Sequence, residues 1–476
     1  MRSKSPKHLI SRIAAAICLL IAVQPVYAQP TATPETQELL NGLKILFWPQ
    51  PGSPDVLVKL RIHSGSAFDL SGRAGEMALL GDILFPDPET LEFFTEQMGG
   101  KLTVSVNYDS ITITMLGKAG QLNNILEVLR NAILSTQLTP EVVAKVRDAR
   151  IKMVKDSAVS PAVVADRAIA SRLFGTFPYG RPSAGSPEEL SKVERGDLML
   201  ARERFLNSNN ATLAIVGGVT QSRAMRTLKQ LFGPWRRSEQ IAPSTFTAPK
   251  APDTRALIVN LPSPTSEVRI AVRGVSRSDQ QFYAALVLAR IAQYRWQETT
   301  PALASKPISV RSESYILPGY FRMSASVNSA DAPGTVLSAR KVLESLTASP
   351  PTAAELDRAK RETLADLSSK TSNLEAPTEA WLDADTYRLA AIEDRAALVQ
   401  AVSASDIQRV ANRLFKDALT TNNPIFAPTA TVIVGDSAQL KTAFQGKLTF
   451  EVLGETPPLG TPAKPPTKPG KKTSPS

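Results

Sequence analysis

The sequence predicts an α+β protein of two homologous lobes of about 200 residues each, every lobe an antiparallel-rich sheet with helices packed on one face. Three observations predict it. The 476 residues exceed what one hydrophobic core ordinarily spans. Strand-like alternation and helical periodicity follow one another in the same order twice. A Pro/Thr-rich seam, IAPSTFTAPKAPDT at 241–254, separates the two runs.

The elements justify themselves in chain order. Each half opens on an alternating run, DVLVKLRI (55–62) in the first and EVRIAV (267–272) in the second. An apolar helix follows at 75–85 and again at 281–292. Strands alternating small or polar with apolar residues come next, KLTVSV (101–106) and FRMSASV (321–327), then amphipathic helices at 141–155 and 353–369. The closing elements match best. SKVERGDLMLARERFLNSNNATLAIVGGV (191–219) parallels QAVSASDIQRVANRLF (400–415) with TATVIVGDS (429–437). In both, an acidic residue, Asp197 or Asp406, opens a helix and a β-branched strand ends in Val-Gly. A repeat of this length reads as one lobe used twice.

The ends are set apart from the body. Arg2, Lys4, Lys7 and Arg12 precede the apolar run IAAAICLLIAV, and Val26-Tyr27-Ala28 supplies small residues for cleavage. This pattern predicts a secretory signal at 1–28 and a periplasmic protein. No later run is long and apolar enough to span a bilayer, so no integral membrane segment is expected in the mature chain. Residues 456–476, Pro/Lys-rich, cannot bury a core and are expected to be disordered. The lobes are then 29–240 and 255–455, joined by the seam. Of the formal charge of +11, the signal and the tail carry four each and the body keeps +3. With no basic stripe interleaved with aromatics, no nucleic-acid partner is expected.

Residue counts constrain the chemistry. The one cysteine, Cys18, and one of the two histidines, His8, lie in the signal. The mature chain is left without a thiolate and with a single imidazole, His63, which excludes any site that pairs histidines. His63 and the acids Asp69, Glu76, Asp82 and Asp148 read as ordinary strand-end, loop and helix-surface residues.

The stretches NGLKILFWPQPGSPDVLVKLRIHSGSAFD (41–69), GEMALLGDILF (75–85), EQMGGKLTVSVNYDSITIT (96–114), LFGTFPYGRPSAGSPEEL (173–190) and NNATLAIVGGV (209–219) resemble the insulinase/pitrilysin-like metallopeptidases over nearly the whole mature chain. The zinc motif of that family is H-x-x-E-H, two imidazoles on one helical face with a glutamate as general base. Laid on 75–85, the motif falls on Ala78, Gly81 and Asp82, none able to do that chemistry alone. The further glutamate ligand falls near Lys152 or Met153. No catalytic residue, metal ligand or cofactor is therefore expected, the zinc site being lost. Gly81 inside a helix costs up to ~1 kcal/mol relative to alanine, which either permits a close approach or marks a lost constraint.

The resemblance also implies a peptide-binding edge strand, here Leu102, Thr103, Val104 and Ser105, recognised through backbone groups. In two-chain members the zinc-free partner carries substrate-holding residues. Tyr294 and Arg295 lie near that position with a different spacing. The implied role is a non-catalytic subunit that pairs with an H-x-x-E-H homologue and closes a chamber over unfolded peptides. A stand-alone peptide-binding or envelope assembly protein uses the same scaffold and stays open at this point.

Overall fold

A computed structural model describes residues 33–241, 243, 245–369, 374–416 and 428–453. The signal at 1–28 and the tail at 456–476 lie outside the described residues. The first half runs β1 (Glu35–Glu38), β2 (Lys44–Pro49), β3 (Asp55–Ile62), α1 (Glu76–Asp82), α2 (Pro88–Glu96), β4 (Lys101–Val106), β5 (Ile111–Lys118), α3 (Leu122–Arg130), α4 (Pro140–Ser157), α5 (Pro161–Phe174), α6 (Pro187–Leu190), α7 (Arg195–Phe205), β6 (Ala211–Gly217) and α8 (Gln221–Phe232). The second runs β7 (Ala256–Asn260), β8 (Ser266–Arg273), α9 (Phe282–Thr299), β9 (Ile308–Glu313), β10 (Tyr320–Val327), α10 (Ala332–Ala348), α11 (Ala353–Ser369), α12 (Glu375–Thr386), α13 (Arg395–Ala401), α14 (Ala404–Phe415), β11 (Ala430–Gly435), α15 (Ser437–Phe444) and β12 (Phe450–Val452).

Two six-stranded sheets result, ordered β1-β2-β6-β3-β5-β4 and β12-β7-β11-β8-β10-β9. The fold is α+β. Both sheets share one plan: a parallel pair (β2·β6, β7·β11), then three antiparallel pairings out to a free edge. The repeat corrects one expectation. KLTVSV forms β4, whose counterpart is β9 and not FRMSASV; the latter is β10 and matches β5. Period-two alternation alone cannot tell neighbouring strands of one hairpin apart, and β9 (ISVRSE), with only two apolar residues, has a weak strand signal.

The closing elements behave alike. Glu194 with Asp197, and Ser403 with Asp406, form capping boxes at α7 and α14. The strands that follow, β6 and β11, are buried along their whole length. Full burial requires cover on both faces of each sheet. One face carries the half's own helices. The other receives a helix from the opposite half: Ala165, Ile169 and Leu173 of α5 lie against Ala271, Ala430 and Val432 of the second sheet. Reciprocally, Trp381 and Leu382 of α12 lie on Leu46, Ala214 and Val216 of the first. The halves thus exchange helices.

Charge reinforces the exchange. Asp166 of α5 pairs with Arg269 at 2.6 Å and Arg322 at 2.7 Å. On α12, Glu379 pairs with Lys59 and Arg61, Asp383 with Arg61 at 2.9 Å, and Asp385 with Lys44 at 2.6 Å. Lys59 and Arg61 are buried. Burial alone would raise the Glu379 carboxyl, yet the Arg61 and Lys59 charges hold it below the usual range.

Candidate functional site

The helix of interest, α1, starts after a loop that is tied down from several sides. Gly75 takes φ +98°, and a Cβ there would meet Leu190 Cδ2 at 2.6 Å and Gly185 Cα at 2.7 Å. The Asp69 carboxylate accepts the N–H groups of Gly75 at 2.7 Å and Met77 at 2.8 Å, capping two orphan donors of the first turn. Glu76 accepts from the Leu70 N–H at 3.0 Å. Arg181, from the PYGRP segment, donates to the Ala67 and Asp69 carbonyls at 3.1 and 2.8 Å. The helix runs only to Asp82, because Pro86 and Pro88 forbid its continuation.

At the three motif positions the structure places packing and an ion pair. Ala78 is 1 % exposed. Gly81 permits a close approach: a Cβ on it would lie 2.7 Å from Val106 Cγ2 and 3.6 Å from Val104 Cγ1. Valines of β4 therefore occupy the room a base at position 81 would need. Asp82 is gripped by Arg150 of α4 through two bonds, 2.5 and 2.6 Å, a bidentate fork of the stronger kind. Lys152 pairs instead with Asp156 at 2.9 Å, and Met153 is 56 % exposed. An ion pair links the two helices that a metal would bridge in the resembled family. Among the described residues, no group of three or more His, Cys, Asp or Glu is placed to hold a metal ion.

Residues 192–363 match the family described as Peptidase M16 inactive domain. That match covers the end of the first half and the greater part of the second. It is 20 % identical over 265 residues to mitochondrial-processing peptidase subunit beta of Neurospora crassa, covering 54 % of the chain and 56 % of that protein. It is 21 % identical over 313 residues to the probable mitochondrial-processing peptidase subunit beta of Schizosaccharomyces pombe, covering 62 % and 67 %. The match thus spans between about half and two thirds of these relatives' length. Among solved structures, a peptidase M16 inactive domain from Pseudomonas fluorescens has a TM-score of 0.74 at 18 % identity, over 85 % of this chain and 98 % of that one. A protease from Helicobacter pylori reaches the same score and identity over 85 % and 100 %. A chain of Complex III2 from Candida albicans gives 0.69 at 17 % over 87 % and 97 %. These likenesses establish the fold.

Strand β4 is the outer strand of its sheet and pairs only with β5 among the described residues. Lys101, Thr103 and Ser105 are exposed, while Leu102, Val104 and Val106 turn toward the helices. The four residues read as a peptide edge therefore lie on one free edge beside α1. Tyr294 and Arg295 are employed elsewhere. The Tyr294 ring is buried with the Arg358 guanidinium 3.8 Å from its centre. Arg295 forks onto Glu355 of α11 at 2.7 and 3.2 Å. Both hold α9 to α11. Arg290 on α9 pairs with Asp366 on α11 at 2.9 Å, so this half repeats the Asp82–Arg150 helix link with its charges reversed.

Sequence reasoning missed Arg150 and the role of the β3 charges. Lys59 and Arg61, two apart on a strand, share one face, and Glu379 and Asp383, four apart on a helix, share another; that complementarity was the available signal. His63 lies between Thr386 Oγ1 and Thr212 Oγ1, each 3.0 Å from a ring nitrogen. Burial pushes its pKa down to about 4, against the pull of Asp385.

The β4–β5 turn also reaches the second half. Asp109 accepts the Ile316 N–H at 3.0 Å and the Tyr179 hydroxyl at 3.3 Å. Burial pushes Asp109 up to about 7, the two donors opposing. A carboxyl whose folded pKa exceeds its unfolded value stabilises most at low pH, and that contribution is lost as pH rises through 7. Asp69, pushed up to about 7 by burial, acts in the same sense. His63 acts oppositely, its contribution lost as pH falls from 6.5 through 4. Asp109→Asn, which keeps an accepting oxygen, is expected to gain melting temperature relative to the parent as pH rises from 5 to 8. Scanning fluorimetry across that range measures it; a difference independent of pH would assign Asp109 no titrating role.

Proposed function

We propose that this M16 homologue is the zinc-free subunit of a heteromeric peptidase of the periplasm, holding peptide for a partner that bears H-x-x-E-H. The observation that carries the reading is the pairing of a filled motif helix with a free β4 edge directly beside it. Chemistry at Ala78, Gly81 and Asp82 is replaced by packing and an ion pair, while a strand able to accept an extended peptide is kept. Main-chain N–H and C=O groups of Leu102, Thr103, Val104 and Ser105 would bind the peptide, so the loss of catalytic side chains leaves recognition intact. A long-lived free edge invites aggregation unless something covers it, which favours a chamber closed by a partner. Support for partnership comes from a structural relative that is itself a chain of Complex III2.

The test is co-purification with an H-x-x-E-H homologue and assay of peptide cleavage with and without this chain. A stable complex and stimulated cleavage are expected. Recovery only as a monomer or homodimer, with no stimulation, would sink the reading. Proline at Thr103 or at Val104 separates recognition from folding. Adjacent residues of a strand aim their N–H groups at opposite edges, so one of the two substitutions leaves the β5 pairing whole. That folded variant is expected to lose peptide affinity about ten-fold or more.

A further inference from the structure

A second site lies on the first half, formed by helices and the loops after them and sharing no residue with β4. Helix α3 continues into a single wide turn, Asn131–Ser135. This turn, α7 and the segment at 234–236 enclose an open groove of about 610 Å³, within the range of small-ligand sites. Part of its wall is apolar: Leu134, Leu138 and Leu206 are joined by Trp235, whose indole N–H is bound to the Leu206 carbonyl at 2.9 Å. Met199 stands at the rim, 45 % exposed.

Two guanidinium groups enter this groove without a carboxylate partner among the described residues. Arg202 donates to the Thr136 carbonyl at 2.8 Å and the Ile133 carbonyl at 3.0 Å. Arg195 donates from Nε to the Leu138 carbonyl. Those bonds cap the end of the wide turn and fix the direction of both side chains. They leave the positive charge uncompensated and use two of the five N–H groups of Arg202. The one acid on the groove, Glu203, is already paired with Arg236 at 2.9 Å. Desolvation lowers the Arg202 pKa with no carboxylate opposing it, as expected of a cation whose counter-ion is missing.

We propose that this groove binds an oxyanion carried at the end of an apolar chain, a carboxylate on the Arg195 and Arg202 forks with its aliphatic body along Met199, Leu134 and Trp235. A planar carboxylate matches the guanidinium fork, and a body of a few methylenes or one aliphatic side chain fits the apolar part of the wall. Two sources share that chemistry: the C-terminus of a peptide ending in an apolar residue, and a free fatty acid. The inference is independent of peptide addition at β4.

Calorimetric titration of the full chain tests it with three probes: N-acetyl-Ala-Ala-Leu-Leu as the free acid, the same peptide as its C-terminal amide, and decanoate. The acid is expected to bind at least about ten-fold more tightly than the amide, the loss of a charge-assisted pair. Arg195→Gln and Met199→Glu, both at exposed positions, are each expected to weaken the acid about ten-fold while the protein still melts cooperatively. Arg202→Lys keeps the charge without the fork and should fall between. The proline variants of β4 should leave the preference for acid over amide intact. Decanoate tighter than the peptide assigns the groove to a fatty acid, and the reverse assigns it to a peptide end. Equal binding of acid and amide, no binding of either acid probe, or indifference to Met199→Glu overturns the proposal.

Discussion

Glu379→Ala is expected to cost about 3 kcal/mol of stability, the lower end of the range for removing one partner of a buried ion pair. The Glu379 side chain is 24 % exposed, which places the effect at that end, but Lys59 and Arg61 are each only 7 % exposed. Arg61 keeps Asp383 when Glu379 is lost. Lys59 has no other carboxylate partner among the described residues, and its ammonium would remain buried against β3. The damage falls where α12 of the second half seats on the first sheet, so it should loosen the exchange between halves as well as lower total stability. Urea unfolding at pH 7 followed by tryptophan fluorescence is expected to shift to lower denaturant and to broaden or split, since the halves then unfold less cooperatively. Glu379→Gln keeps the volume and part of the hydrogen bonding, and should lose less. Replacing Glu379 by Leu and Lys59 by Met together removes both charges and is expected to recover most of the loss, because well-packed apolar residues often replace a buried pair at little cost. A change below about 1 kcal/mol for Glu379→Ala would mean that apolar contacts such as Trp381 on Leu46 and Val216 carry the seat alone.

That cluster also shows what the sequence could and could not convey. Repetition was legible because it rests on local signals: the capping acids Asp197 and Asp406, the Val-Gly strand ends, and the apolar periods of α1 and α9. These signals placed β3, β8, the motif helix and the long helices α4 and α11 correctly. Helix exchange was not legible, because Asp166 and Glu379 meet their partners more than 100 residues away in the chain, and a charged helix face ordinarily means solvent. The same limit explains β4 and β10. Alternation identifies a strand, but neighbours in a hairpin alternate alike, and only pairing tells them apart. At the motif positions the sequence itself prints the residue types, Ala78, Gly81 and Asp82, and no spacing can make a ligand of a methyl group. What surrounds those positions was not legible. Arg150 lies two or three residues before Lys152 and Met153, and Val106 is brought over Gly81 only by the packing of β4 on α1.

The filling decides whether the motif could be restored, and the expected result is that it cannot. Gly81→Ala alone sets two terms against each other. Helix propensity favours alanine by up to ~1 kcal/mol, while inserting a methyl into a packed contact costs about 1–3 kcal/mol. The contact is with Val106, a β-branched side chain with one favoured rotamer, on a strand residue held opposite Ile111. A Cβ 2.7 Å from its Cγ2 cannot be relieved by swinging a flexible tip, so overpacking wins and the variant should lose about 1–2 kcal/mol. Val106→Ala in the same background is expected to return most of that. Gly81→Glu adds a carboxylate with no partner in the same space, and Ala78→His adds a ring to a position 1 % exposed. Among the described residues Asp82 is the only carboxylate paired with Arg150, whose side chain is 11 % exposed, and Asp82→His removes it. The triple variant is therefore expected to be unfolded or strongly destabilised by thermal melting, and to carry no stoichiometric zinc by elemental analysis. A folded triple variant with one zinc per chain would refute the account. The difference from the motif would then be three substitutions deep, and not, as the packing implies, one shared by α1, α4 and β4 through the Asp82–Arg150 pair and the Val106 contact on Gly81.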